Sequence, residues 1–247
     1  MSLFPRFFLL YLCCLSTAWA APPVLHVALG ETKMPYVSSD NQSGIEYDIV
    51  TQALRLAGYK VKIEYLPNKR ALLEFRDGQL DGVISNTGNY LSEPYIAYQN
   101  MAITLCQKQI NIDSIKALAP YQVAAFHNAS QYLGADFAKI ASNKINYREL
   151  SPQKLMNRML LAARFDVAIS DINIFKYEHK KIDPLGNQAL CPFAIFPPTL
   201  YRLEFREPIV RDRFNVALKN FREQGLYEQL AKKYGMPLDQ NRPYFKP

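Results

Sequence analysis

The sequence predicts an α/β protein of two lobes, each a mainly parallel sheet flanked by helices, joined by two crossover strands. Three observations carry this prediction. The first is a phrase used twice, Arg76-Asp77-Gly78-Gln79-Leu80-Asp81-Gly82-Val83-Ile84-Ser85 and then Arg164-Phe165-Asp166-Val167-Ala168-Ile169-Ser170. Each time a helical pattern ends, an Asp follows, and a short apolar run stops at a Ser. This is how a helix feeds a buried parallel strand whose C-terminal edge turns polar. The second is that helical and strand periods alternate through both halves, an order that right-handed crossovers convert into parallel sheets. The third is that the chain finishes with helices that follow no strand of their own, so it returns to the first lobe. Two such units offer strand ends to a shared cleft, and open α/β sheets bind ligands outside the carboxyl ends of their strands.

Taken in order, residues 24–29 form an apolar strand closed by Gly30, followed by a loop through Met34-Pro35-Tyr36 and residues 40–44. Ile45, Ile49, Val50, Ala53, Leu54 and Ala57 recur at helical spacing, and Gly58 ends that helix. Val61, Ile63 and Tyr65 alternate with charged residues as a strand; residues 69–77 form a short helix and 81–86 the next strand. The second lobe repeats the pattern. A short helix over 113–118, with Asp113 as N-cap, precedes a strand over 121–126, a helix over 130–140 and a brief strand over 145–147. Ser151 as N-cap and Pro152 at the first helical position start a helix whose buried stripe is Leu155, Met156, Met159, Leu160 and Ala163. Its methionines are core filler. The strand of the repeated phrase and a helix over 171–180 follow. Strands over 189–196 and 200–205 flank Pro197-Pro198, and helices over 208–224 and 225–234 end the pattern. The crossings are expected near Thr104-Leu105-Cys106 and over 196–201 and would act as a hinge. The first lobe then comprises 21–106 and 197–247, and the second 107–196.

Residues 1–20 read as a cleavable secretory signal. One positive charge at Arg6 precedes the apolar run 7–15, and Ala18-Trp19-Ala20 supplies small residues at the cleavage positions. The run is short for a membrane span, and Leu12 before Cys13 fits a lipoprotein signal poorly. Without the leader the chain keeps 28 Lys+Arg against 22 Asp+Glu, a net charge of +6. The basic residues are dispersed as short pairs such as Lys69-Arg70 and Lys180-Lys181, so nucleic acid is not an expected partner. Cys106 and Cys191 remain, an even count in an oxidising compartment. The reading favours a disulfide between them, on adjacent strands at the hinge edge, over two separate buried thiols. There is no CxxC and no Cys/His cluster at metal-ligand spacing; no metal or cofactor is implied.

With these segments in place, the chain resembles the periplasmic solute-binding proteins of polar amino acid ABC importers, which have the type II periplasmic-binding fold. The resemblance spans essentially the whole mature chain. It rests on Pro35-Tyr36, Gly44-Ile45-Glu46-Tyr47-Asp48-Ile49, Gly78-Gln79-Leu80-Asp81 and Ser92-Glu93-Pro94-Tyr95 in the first lobe. The second lobe adds residues 123–130, residues 164–171, and the closing Gly225-Leu226-Tyr227 to Lys233-Tyr234-Gly235.

The resemblance implies a site. Tyr36 is the loop aromatic that covers the ligand, or else ordinary packing. Ser85, Asn86 and Thr87 line the cleft at the end of the first repeated strand. Asn128, Ala129 and Ser130 form a turn whose backbone N–H groups face an anionic ligand group, because a helix N-terminus carries unpaired donors. Asp171 meets a ligand ammonium, caps its own helix, or does both. Asp81 and Asp166 are structural, fixing the lead-in to each strand. The family's carboxylate-clamping Arg after the first repeated strand is missing, since Ser85-Asn86-Thr87-Gly88-Asn89-Tyr90 holds no Arg or Lys. That departs from an ordinary α-amino acid binder, because Lys or a neutral residue does not copy a bidentate Arg. Arg70 is a candidate replacement, with a solvated or structural Arg as the alternative.

The resulting expectation is a monomeric periplasmic protein that binds a small polar solute by hinge closure, without cofactor or catalysis, for a membrane permease of an ABC importer. The alternatives are an exported dehydratase-type enzyme on the same fold and a periplasmic sensor input that passes its signal to a membrane sensor. No paired carboxylates or Ser/His/Asp order stands out for the enzymatic reading.

Overall fold

A computed structural model describes residues 22–236 and 246–247. The leader expected over 1–20 lies outside the described residues. The chain runs β1 (Val24–Leu29), α1 (Ile45–Leu56), β2 (Lys60–Tyr65), α2 (Asn68–Arg76), β3 (Gly82–Ile84), β4 (Ile96–Tyr98), β5 (Asn100–Leu105), β6 (Val123–Phe126), α3 (Ala129–Tyr132), α4 (Ala135–Ala141), β7 (Tyr147–Leu150), α5 (Gln153–Leu161), β8 (Val167–Asp171), α6 (Ile172–Ile182), β9 (Leu190–Phe193), β10 (Thr199–Tyr201), β11 (Leu203–Phe205), α7 (Pro208–Glu223) and α8 (Leu226–Tyr234).

The first sheet has the order β11-β3-β1-β2, with β1, β2 and β3 parallel and β11 antiparallel at the edge. Its core is built by helical periodicity: Ile45, Ile49, Val50, Ala53 and Leu54 of α1 are buried against Phe214, Leu218 and Phe221 of α7 and Tyr227, Leu230 and Ala231 of α8. The returning C-terminal helices therefore complete the first lobe, as the absence of a strand for them requires. The second sheet has the order β7-β6-β8-β5-β9, parallel through β7, β6 and β8 and antiparallel through β5 and β9. A two-stranded antiparallel ribbon, β4 with β10, runs between the sheets.

The two copies of the repeated phrase enter their sheets identically. Asp81 donates its N–H to the His26 carbonyl at 2.8 Å and accepts the His26 N–H at 2.8 Å. Asp166 donates to the Gln122 carbonyl at 2.8 Å and accepts the Gln122 N–H at 3.0 Å. Each Asp thus closes a ring with the backbone of the neighbouring segment, His26 inside β1 and Gln122 just before β6, which is the structural role expected of it. Lys108 adds an ion pair to Asp166 at 2.6 Å.

Several boundaries differ from expectation. The first crossing lies at β4, not at Thr104-Leu105-Cys106, because residues 100–105 pair with β8 and β9 in the second sheet. The mainly apolar segment from Ile96 to Leu105, interrupted by Gln99-Asn100, contains no Gly or Pro to mark where it changes sheets. Gln99 makes the change: its side chain donates to the carbonyls of Phe196 at 2.7 Å and Asn100 at 3.1 Å. The single strand expected over 200–205 is split, with β10 in the ribbon and β11 in the first sheet. The helix expected over 130–140 breaks into α3 and α4 at Gly134, whose φ of 88° is left-handed. Over 113–118 only a 3-10 turn at Lys116–Leu118 forms. The helix expected from Ser151 starts one residue later, with Pro152 as its N-cap after a cis Ser151-Pro152 bond, and Leu155 is exposed.

Cys106 and Cys191 form the favoured disulfide, with Cα atoms 5.0 Å apart. Pairing of Thr104 with Cys191 across β5 and β9 brings them together. The bond closes a loop of sequence separation 85, which chain-entropy arguments value at about 4–5 kcal/mol.

Candidate functional site

The facing ends of the two sheets meet beside the β4–β10 ribbon, and the loop after β1 reaches across. Two isolated bridges, Lys33 with Val37 and Ser38 with Ser43, fold this loop on itself. Gly44 then turns it into α1. Its φ is 122°, and a Cβ there would lie 2.1 Å from the Tyr36 carbonyl oxygen. That carbonyl accepts the N–H groups of Glu46 at 3.0 Å and Tyr47 at 3.3 Å. Only Gly permits this approach, and it fixes Tyr36 pointing inward, fully buried.

The Tyr36 hydroxyl donates to both Asp171 oxygens at 3.1 Å and accepts from Asn173 Nδ2 at 2.9 Å. Its ring stacks on Tyr98 of β4 at 3.9 Å between centroids. Burial, together with the charge of Asp171, holds its hydroxyl well above the usual tyrosine pKa. Asp171 closes β8 and caps α6: Oδ1 accepts the N–H groups of Asn173 and Ile174, each at 3.0 Å, and Oδ2 accepts the Gln99 N–H at 2.9 Å. The carboxylate therefore joins a first-lobe loop, the turn between β4 and β5, and a second-lobe helix. Burial raises its pKa to about 6, against the lowering effect of these same hydrogen bonds. With Asp171 only 4% exposed and both oxygens already accepting, the capping role is filled and its acceptor capacity is turned inward.

A second buried carboxylate holds the tyrosine that stacks on Tyr36. Glu46, fully buried on α1, accepts the hydroxyls of Tyr95 at 2.7 Å and Tyr98 at 2.6 Å. Above the Tyr98 ring sits the Lys33 ammonium, 4.9 Å from its centroid and 5.8 Å from that of Tyr201. Glycine at position 30 makes room for it, since a Cβ there would lie 3.1 Å from Lys33 Nζ.

The remaining expected residues are placed as follows. Ser85 is buried and donates to the Thr87 carbonyl at 2.5 Å, so the end of β3 binds its own turn; Asn86 and Thr87 are exposed. Gly88 brings this turn against Glu204, which accepts the Asn89 N–H at 3.3 Å. Arg70 is paired with Glu74 at 2.7 Å, its side chain 69% exposed. In the second lobe the N–H groups of Asn128 and Ser130 do point at an anion, and the anion is the chain's own Glu149. Its Oε2 accepts Asn128 N–H at 2.7 Å, and its Oε1 accepts Ser130 N–H at 3.0 Å, the Ser130 hydroxyl at 2.8 Å and the Tyr147 hydroxyl at 2.9 Å. Burial raises the Glu149 pKa, but these four donors outweigh it and bring it to about 2. Ala129 is fully buried behind them.

Tyr36 and Asp171 are thus brought together across the lobes; Ser85, Asn86 and Thr87 share one turn, Asn128 and Ser130 another, and Arg70 stands apart. Sequence reasoning missed Lys33, Glu149 and the role of Gln99. Glu149 had a faint signal: it alternates with Tyr147 on one face of a strand that ends beside the turn at 128–130. Among the described residues, no group of three or more His, Cys, Asp and Glu is placed to hold a metal, and no helix is long and apolar enough to cross a membrane.

No protein-family model matches the chain, and no curated protein matches it by sequence. Solved structures do match. An ancestral arginine-binding protein bound to glutamine superposes with a TM-score of 0.61 at 17% identity, covering 85% of this chain and 97% of its own. The GluR0 ligand-binding core from Nostoc punctiforme, in complex with L-glutamate, gives 0.62 at 20%, over 86% and 100%. A histidine kinase sensor domain with similarity to periplasmic binding proteins gives 0.64 at 14%, over 87% and 96%. At such identities the likeness establishes the fold, the two-lobed type II periplasmic-binding architecture.

Proposed function

We propose that this chain, on the fold it shares with those ligand-binding proteins, is a monomeric periplasmic solute-binding protein that closes its lobes around a small polar solute for delivery to an ABC importer. The observation that carries this reading is the polar contact between lobes, Tyr36 to Asp171, made beside a two-stranded ribbon and with the Gln99 N–H on the same carboxylate. A contact that exists only with the lobes together gives the closed state its own stabilisation. A solute touching both walls adds to it, and closure follows as a population shift. The exposed Asn86 and Thr87 are the first-lobe groups open to such a solute; Tyr36 and Asp171 act as the latch behind it, and Arg70 stays with Glu74. No cofactor enters this reading and no residue is assigned to catalysis. The arginine-binding protein and the glutamate-bound GluR0 core among the structural matches support the solute class, and the likeness to the substrate binding protein of an amino acid ABC transporter, at a TM-score of 0.58 and 15% identity, supports the importer. The sensor domain among them keeps one second reading, a sensor input that reports the same solute to a membrane partner.

The test is mass spectrometry of ligand retained on the purified mature chain, followed by a thermal-shift and scattering screen of amino acids, polyamines and organic acids. A true solute at one hundred times its Kd adds about 2.7 kcal/mol of stability and reduces the radius of gyration. Turnover of the bound compound would sink the binding-only reading. Solute uptake that survives deletion of the gene would favour sensing over transport.

A further inference from the structure

Three groups are candidates to receive an anionic part of the solute, and two are occupied. Arg70 is exposed and paired with Glu74. The turn at 128–130 gives its donors to Glu149, which stays ionised because those donors hold its pKa near 2. An arriving carboxylate would have to displace an internal one and would meet its negative charge. The third group is Lys33. It is partly buried, and among the described residues its ammonium has no carboxylate within ion-pair range and no hydrogen-bond acceptor; its contacts are the faces of Tyr98 and Tyr201. The neighbouring Tyr201 hydroxyl also makes no hydrogen bond among the described residues, and burial holds it protonated as a donor. A cation and a hydroxyl with unused hydrogens thus stand together at the ribbon end of the cleft. Cation–π contact alone is a weak substitute for an ionic partner, whereas a charge-assisted hydrogen bond to a carboxylate is strong.

We propose that Lys33, with the Tyr201 hydroxyl, is the anion-receiving point of the cleft, and that the solute presents a single carboxylate there while Glu149 closes the opposite wall to a second one. This rests on the solute-binding reading and reverses the wall on which an anion would be sought.

Acetate and acetamide serve as probes on the full mature chain, followed by NMR of the Lys33 side chain, the Tyr201 ring and the amides of Asn128 and Ser130. Acetate should give saturable shifts at Lys33 and Tyr201, and acetamide none. Lys33→Gln should weaken acetate by about tenfold or more and Tyr201→Phe by about threefold, the scale of a lost charged or neutral hydrogen bond. Lys33→Arg should keep the response. The assignment is overturned if acetate gives no saturable shift, if the shifts centre on Asn128 and Ser130, or if Lys33→Gln stays within twofold of the parent. A retained solute whose affinity is unchanged by Lys33→Gln also overturns it, yet leaves solute binding standing. Acetate bound at Lys33 with no solute found in the screen does the reverse.

Discussion

The two copies of the repeated phrase begin alike and end unlike. At the start of each strand an Asp exchanges two hydrogen bonds with a backbone residue of the neighbouring chain segment, His26 within β1 in one lobe and Gln122 just before β6 in the other. At the far end, Ser85 bonds to its own turn and hands over to exposed residues. Its counterpart in the second lobe leads into Asp171, a buried carboxylate that accepts from four residues on three different segments. Lead-ins are constrained by the sheet, since each new parallel strand must register on the last. Exits are free of that constraint, so they diverge: one became local turn chemistry and the other a junction between lobes.

Breaking the exits should separate them sharply. Asp171→Ala leaves the Tyr36 hydroxyl, the Gln99 N–H and two helix N–H groups without an acceptor in a buried site, and should cost about 3–5 kcal/mol in urea unfolding. Ser85→Ala removes the two bonds that its hydroxyl makes with Thr87, in a turn that opens to solvent, and should cost about 1 kcal/mol. Equal losses would mean that the junction is not a junction.

Titration sharpens the same contrast. The folded pKa of Asp171, about 6, lies above its ordinary 3.8, so the native state binds that proton more tightly than the unfolded chain. Its contribution is complete below about pH 4 and is lost as pH rises to about 6, a fall of up to about 3 kcal/mol. Glu149 has the opposite sign: its folded pKa of about 2 lies below 4.5, so its contribution is present above that value and lost as pH falls toward 2. Unfolding curves from pH 3 to 7 for the parent, Asp171→Asn and Glu149→Gln should show each slope vanish with its own carboxylate. Within the junction, Tyr36→Phe should cost less than Asp171→Ala, about 1–2 kcal/mol. Because the Tyr36 hydroxyl lowers the Asp171 pKa, the same variant should move the Asp171 midpoint upward; a midpoint that stays put would remove Tyr36 from the junction.

Much of this was legible in the residue order. Asp before Ile172, Asn173 and Ile174 announces a capped helix, and Gly44 before Ile45 announces a tight turn into one. The alternation of elements gave the sheets, and an even cysteine count gave the disulfide. The crossing point was hidden because the polar pair Gln99-Asn100, set between Ile96-Ala97-Tyr98 and Met101-Ala102-Ile103, comes with no Gly or Pro to mark the change of sheet. The partners of Asn128 and Ser130 were hidden for a different reason. A carboxylate nineteen residues from Ser130 is brought to it only by the pairing of β6 with β7, and no local pattern encodes that distance. Lys33 sits in a loop with no period, and its value lies in what it does not touch.

The sulfur bridge has a mechanical consequence. It joins the chain just after β5 to the chain within β9, with 85 positions of sequence between the two cysteines. Pull on the two ends of the molecule, and the load enters at Cys106 and leaves at Cys191 without passing through the residues between. About 300 Å of extensible backbone, at roughly 3.5 Å per residue, is withheld from the tether. Under tension the first lobe lengthens and the bulk of the second rides along as cargo until a reductant cuts the bridge.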